Sequence, residues 1–184
     1  PDVFAGGDGN DTFDLGGGND FAAGQLGNDV YRIAPGSGAD VLQEDGGADS
    51  IEFQGGLRST DVVFHDTASG LEAIIGNEAD GNRIVVSSWF EGSNGQIESW
   101  VFSGDSVTLN AADVEARIVG NRRPTLAAAL QDQYAPSGES FSFTVPVGSF
   151  VDPNPGDVWI YRAALNDESP LPAWLSFDPA TKIF

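Results

Sequence analysis

The chain contains neither cysteine nor methionine, a single histidine, and one lysine, Lys182. Without cysteine no disulfide can staple the fold, so another kind of cross-link has to be sought. No apolar run approaches membrane-spanning length and no signal peptide opens the chain, so membrane insertion is not expected. Basic residues are scarce: 8 against 28 acidic ones give a formal net charge of −20. A surface of that sign repels nucleic acid and anionic membranes and attracts cations. No HExxH, GxSxG or cysteine–histidine pairing occurs, so catalysis is not expected. With no methionine, a start inside a repeat and an end inside a hairpin-like pattern, the 184 residues read as an excerpt of a longer polypeptide.

Strong acidity alone would suggest disorder, but 40% of the residues are hydrophobic and aromatics are plentiful, which argues for real cores. The most informative feature is a nine-residue repeat. From Gly6 the chain runs GGDGNDTFD, LGGGNDFAA and GQLGNDVYR; after Ile33 and Ala34 come PGSGADVLQ and EDGGADSIE. Asp2, Asp11, Asp20, Asp29, Asp40 and Asp49 recur at the sixth position. The eighth is always apolar: Phe4, Phe13, Ala22, Tyr31, Leu42 and Ile51. Six residues of turn chemistry thus alternate with three of strand chemistry, and two units make one coil. Same-side turns then stack 18 residues apart and bring two aspartates and several carbonyls around one gap. Calcium takes roughly six to eight hard oxygens at about 2.3–2.6 Å, which two carboxylates and about four carbonyls satisfy. Folding and ion binding would then be one event.

These units resemble the RTX, or haemolysin-type calcium-binding, repeat. The resemblance covers residues 2–52 and implies a calcium-bound parallel β-roll within a large exported protein. It implies ion binding by the turn aspartates and by backbone carbonyls, here those of Gly6, Gly7, Asp8, Gly9, Leu15, Gly16, Gly17, Gly18, Gly24, Gln25, Leu26 and Gly27. By position Asp11 pairs with Asp29, Asp20 with Asp40, Asp29 with Asp49, and Asp2 with Asp20. Asp20 and Asp29 have neighbours on both sides of the stack, Asp11 and Asp49 on one. The pattern has departures: Leu15 and Pro35 replace a first glycine, Gln25 a second, and Glu44-Asp45 a glycine pair. The Ile33-Ala34 insertion is expected to disturb the stacking.

Between residues 53 and 120, apolar stretches at Val62–Phe64, Leu71–Ile75, Ile84–Phe90 and Ile97–Phe102 alternate with turn signals and read as β-hairpins. Asn110-Ala-Ala-Asp113 has the form of a helix capping box, with Gly120 as the stop. Ile84-Val-Val-Ser-Ser-Trp-Phe90 and Ile97-Glu-Ser-Trp-Val-Phe-Ser-Gly104 are similar to the segment that often follows RTX repeats, which implies a cap on the roll. After a linker at Asn121-Arg-Arg-Pro124, alternation at Phe141–Val145 and Val158–Tyr161 predicts a β-sandwich over 121–184. Phe150-Val-Asp152-Pro-Asn-Pro-Gly-Asp157 and Leu171-Pro-Ala-Trp-Leu-Ser-Phe177-Asp resemble a dystroglycan-type, cadherin-like module. The expected architecture is therefore all-β: roll, β-rich cap, partial sandwich.

Other motifs have plainer explanations. An EF-hand from Asp8 fails because its sixth position is Phe13 and its twelfth Asn19. A phosphate-binding glycine loop fails because an aspartate follows each glycine cluster. His65 reads as a surface strand residue, Gly104-Asp105-Ser106 as a turn, and Trp89, Trp100, Trp159 and Trp174 as core or cap residues. Asn121, Asp132, Asp152, Asn154 and Asp157 are oxygen donors for a cation near the linker, with ion pairs of Arg122 and Arg123 as the rival reading. The expected function is a calcium-dependent structural spacer in a secreted or cell-surface bacterial adhesin. The alternatives are a non-catalytic segment of an exported RTX enzyme or toxin, and a carbohydrate-binding module. Expected partners are neighbouring modules of the same chain and a cell-surface or glycan target.

Overall fold

The computed structural model describes residues 1–154, 157, 159–167 and 169–184. The chain divides into two compact units, Pro1–Arg122 and Arg123–Phe184.

In the first unit, β1 (Val3–Asp8), β3 (Phe21–Leu26), β5 (Ala39–Gly46) and β9 (Arg83–Val86) lie side by side in one sheet, all parallel. Strands β2 (Thr12–Asp14), β4 (Val30–Ile33), β6 (Ser50–Phe53) and β10 (Ser99–Phe102) do the same in a second sheet. The chain alternates between the sheets and so climbs as a coil. Beyond the repeats each sheet gains antiparallel pairings. β8 (Gly70–Ile75) reverses onto β9 and is followed outward by β7 (Val62–Thr67); β11 (Val107–Asn110) reverses onto β10. Residues 53–120 thus share both sheets with the repeats and supply the strands that cover the outer edges of β9 and β10.

The apolar eighth position of the repeat builds the core. Phe4, Ala22, Leu42 and Val86 are aligned across one sheet, and Phe13, Tyr31, Ile51 and Trp100 across the other. Tyr31, Leu42, Ile51, Val86 and Trp100 are fully buried. Phe13 stacks on Tyr31 with ring centroids 5.0 Å apart, and Phe53 on Phe102 at 4.5 Å. Each such buried side chain contributes roughly 1.5–3 kcal/mol through apolar burial.

Two expectations need correction. First, the Ile33-Ala34 insertion leaves the stack continuous, and the disturbance expected there is confined to a register shift of β3 on β5 between Ala23 and Leu26. Val30 and Phe21 pair with Ser50 and Val41, 20 residues on, where Thr12 pairs with Val30, 18 residues on. The extra pair is absorbed in a turn closed by Ser37 N–H donating to the Ala34 carbonyl at 3.2 Å. Parallel pairing needs matched strand direction, and a longer turn leaves that intact. Second, turn and strand do not alternate six to three on both sides. Gly6, Gly7 and Asp8 lie within β1, and Gly24, Gln25 and Leu26 within β3, because stacked turns satisfy each other's backbone groups at strand spacing.

The capping box forms: the Asn110 side chain accepts from Asp113 N–H at 2.9 Å, and Asp113 accepts from Asn110 N–H at 3.1 Å. Helix α1 (Ala111–Arg117) ends earlier than Gly120, because Ile118 turns extended and pairs through β12 (Ile118–Val119) with β7. Its Val114 is buried, and Glu115 accepts from the Trp89 indole at 2.5 Å and pairs with Arg122.

In the second unit, β13 (Thr125–Leu126) pairs antiparallel with β14 (Phe150–Val151). The expected strand at Phe141–Val145 reduces to a bridge between Thr144 and Ile183, although Phe143 and Phe184 exchange backbone hydrogen bonds of 3.3 and 2.9 Å. No strand forms at Trp159–Tyr161; Val158 of that stretch, and Pro155 and Gly156 of the Phe150–Asp157 motif, lie outside the described residues. Trp159 and Trp174 are exposed at 37% and 71%, unlike the buried Trp89 and Trp100. Among described residues of this unit, Val145 is the one large apolar side chain that is fully covered, so its surroundings offer the tryptophans little core to join. No helix among the described residues is long and apolar enough to cross a membrane.

Candidate metal centre

The stacked turns place the aspartates in two columns. In one, Asp11 N–H donates to Asp29 Oδ1 at 2.8 Å, Asp29 N–H to Asp49 Oδ1 at 2.8 Å, and Asp49 N–H to Glu98 Oε2 at 2.7 Å. In the other, Asp2 N–H donates to Asp20 Oδ1 at 2.6 Å and Asp20 N–H to Asp40 Oδ1 at 3.0 Å. Each repeat aspartate from Asp20 to Asp49 therefore lends one oxygen to the turn before it. Its second oxygen has no hydrogen-bond partner: Oδ2 of Asp11, Asp20, Asp29, Asp40 and Asp49 is buried and unsatisfied. Asp20, Asp29, Asp40 and Asp49 are each no more than 3% exposed. Asp2 differs, being exposed and contributing its N–H. Asp49 is not the end of its column, since Glu98 follows it.

A parallel ladder of asparagines holds the turns in register. Asn28 N–H donates to Asn10 Oδ1, Ala48 N–H to Asn28 Oδ1, both at 2.9 Å, and Ala39 N–H to Asn19 Oδ1 at 3.1 Å. Glycine is required where the backbones touch. A Cβ on Gly27 would overlap the Gly9 carbonyl, and Gly27 has φ +138°. The carbonyls proposed from sequence are partly engaged already: Leu26 accepts from Gly9 N–H at 2.8 Å, and Gly6, Gly7, Asp8, Gly24 and Gln25 sit in paired strands. A carbonyl has a second lone pair, so this does not remove them as donors. Gly9, Gly16, Gly18 and Gly27 take positive φ and Gly17 sits between two of them, whereas the Leu15 side chain is buried in the core.

Glu44 is the residue that the repeat pattern did not single out. It stands in the first position of its unit, where Gly6 and Gly24 stand in theirs. The same position holds the buried Leu15 in one unit and the exposed Pro35 in another, so the repeat pattern carries no signal that marks Glu44. Glu44 is 2% exposed, and carboxylate oxygens of Asp29, Glu44 and Asp49 lie within 4.8 Å of one another. Tyr31 donates its hydroxyl to Glu44 Oε1, while Glu44 Oε2 has no partner. A Cβ on Gly24 would fall among Asp29 Oδ2, a Glu44 oxygen and the Tyr31 hydroxyl, so the missing side chain leaves a polar cradle.

The electrostatics follow from this crowding. Burial, with the carboxylates of Asp49 and Asp29 adding to it, pushes Glu44 up to about 8 against the Tyr31 hydrogen bond. Burial pushes Asp49 up to about 6, with Glu98 and Asp29 adding and the Asp29 N–H opposing. Asp40 is raised by burial as well, and Tyr31 by burial and by Glu44. Without a cation, burial thus favours the uncharged form of each of these groups. The donors are all oxygen, several are orphaned, and a cradle lies between them, so the residues present fit a hard cation.

The remaining candidates are placed otherwise. Asn121 belongs to the first unit and is exposed. In the second unit, Asp152 Oδ1 accepts from Asn154 N–H at 2.9 Å in a local turn, and Asp132 and Asp157 are exposed. His65 lies half-buried in β7 opposite Glu72. Asp105 closes a turn and accepts from Ser59 N–H and hydroxyl at 3.0 and 2.9 Å, which holds its carboxyl below the usual range against a burial contribution of opposite sign.

The family described as "Putative Ig domain" matches residues 123–184, which is the second unit without any of the repeats. Comparison with curated proteins found no match. The protein is all-β, and its second unit is similar to Ig-like β modules. Such modules are typically non-catalytic and suit a structural or adhesin-like segment.

Proposed function

We propose that the first unit is a calcium-bound parallel β-roll of the RTX type, and that the chain is a structural spacer in a secreted or cell-surface adhesin-like protein. The observation that carries this reading is the set of five buried aspartate oxygens without partners, one per stacked turn. An ionised carboxylate left unpaired in the interior costs several kcal/mol. The first unit's arginine ion pairs, Arg32 with Asp14 and Glu52, Arg83 with Glu72, and Arg122 with Glu115, involve none of the repeat aspartates. Ca²⁺ placed between successive turns would take the free Oδ2 atoms together with turn carbonyls.

Calcium acts here as a structural ion, contributing charge neutralisation and cross-linking between coils. The chain's own part is to keep the turns in register through the asparagine ladder and to exclude water beneath them with Phe13, Tyr31 and Ile51. The Ig-like second unit favours a tandem extracellular module, and the dystroglycan-type, cadherin-like form remains the finer version of that reading. Neighbouring modules of the same chain are the expected partners.

Circular dichroism of the whole chain in EGTA, followed by excess CaCl₂, tests this. A gain of β signal on calcium addition is expected. A tenfold excess over Kd adds roughly 1.4 kcal/mol per independent site, so a few sites decide folding. Magnesium should substitute poorly, since it demands near-octahedral geometry. An identical spectrum in EGTA and in calcium would sink the proposal.

A further inference from the structure

We propose that Glu44 converts the Asp29–Asp49 gap into a three-carboxylate cation site, which fills before the two-carboxylate gaps of the stack. This rests on the calcium reading of the stacked turns and goes beyond it, because the repeat pattern supplies only aspartates and carbonyls. Three buried acids converge here, Asp29, Glu44 and Asp49, at 0, 2 and 1% exposure. Each presents one oxygen that nothing else satisfies: Asp29 Oδ2, Glu44 Oε2 and Asp49 Oδ2.

Glu44 is held for the task. Its N–H donates to Ser88 Oγ at 3.1 Å, and Ser88 in turn donates to the Gly95 carbonyl at 3.1 Å. Tyr31 fixes one carboxylate oxygen and leaves the other turned loose among the aspartates. Gly24 provides the room, since any side chain there would occupy the space between Asp29, Glu44 and Tyr31. In the opposite column the equivalent first positions are Leu15, whose side chain is in the apolar core, and Pro35, which is exposed. The Asp20–Asp40 gap therefore gains no third carboxylate. A preorganised site with one more negative charge binds a hard cation more tightly, and ligand charge and rigidity are what tune calcium sites. A formal charge of −3 also favours a trivalent lanthanide over calcium more than a charge of −2 does.

The experiment is a titration of the full chain with Ca²⁺ by calorimetry, and with Tb³⁺ by aromatic-sensitised luminescence. A tight phase followed by weaker ones is expected. Glu44→Gln keeps the size of the side chain and removes its charge; it should weaken the tight phase roughly tenfold or more and lower the Tb³⁺ preference there. Asp40→Asn should leave the tight phase and reduce the weaker ones. If the wild-type chain takes up neither ion, the calcium reading itself fails. If it shows a tight phase that Glu44→Gln leaves unchanged, only the role of Glu44 fails. Should Glu44→Gln not fold in calcium, Glu44→Asp serves instead, as it keeps the charge and shortens the reach. Its tight phase should weaken, and an unchanged affinity would overturn the proposal.

Discussion

At the scale of single residues, two kinds of glycine are distinguishable. Gly7 has φ +95° and open space around its α-carbon, whereas Gly27 has φ +138° and rests on the Gly9 carbonyl. Alanine at Gly7 meets only the strain of an unfavourable φ, about 1–3 kcal/mol. Alanine at Gly27 meets the same strain and also forces two stacked turns apart. Urea unfolding in saturating calcium should therefore show Gly27→Ala as the more destabilising change by at least about 1 kcal/mol. Equal midpoints would mean that the turns are not in contact. The period of nine marks both glycines as turn residues, but it does not say which one carries the next turn. That distinction depends on residues 18 positions apart being stacked.

At the scale of elements, the turn columns should respond to pH in a definite direction. With no cation, Glu44 and Asp49 titrate near 8 and 6 when folded, against ordinary values of 4.5 and 3.8. The folded unit then binds more protons than the unfolded chain between those limits, so its stability falls as pH rises through them. In EGTA, the folded fraction should be larger at pH 5.5 than at pH 8, as read by circular dichroism. On the proposed calcium reading the ion takes the place of those protons, so saturating ion should flatten or reverse the trend. A folded fraction in EGTA that grows with pH would contradict the burial of these carboxyls. Much of this element was legible in advance: the aspartate columns and the capping box at Asn110 follow from local repetition and short-range hydrogen bonding. The strand character of Gly6–Asp8 and Gly24–Leu26 was not, because it arises from pairing between coils.

At the scale of the whole molecule, the two units should behave differently. The first carries the orphaned carboxylates, and the second holds the match to Ig-like modules. Calorimetric melting should show two transitions, of which only the one belonging to Pro1–Arg122 moves upward with calcium. A calcium shift of equal size in both would argue for ion binding in the second unit as well, at donors such as Asp132, Asp152 or Asp157. The ion pair of Arg122 with Glu115 lies inside the first unit and ties the end of that unit to α1.

The sequence alone determined what is periodic. Nine-residue spacing, an apolar eighth position and glycine beside aspartate specify coils, an inward-facing core and columns of carboxylates, because each repeat makes the same local choice. Tertiary structure decided what comes from afar or depends on which way a side chain turns. Glu98 reaches Asp49 across 49 residues of sequence, and β9 and β10 continue sheets begun by the repeats. Whether Glu44 was a damaged glycine position or a third carboxylate could not be read from its neighbours. Its role depends on an inward-facing backbone position, on the hydroxyl of Tyr31, and on the empty space that Gly24 leaves between them.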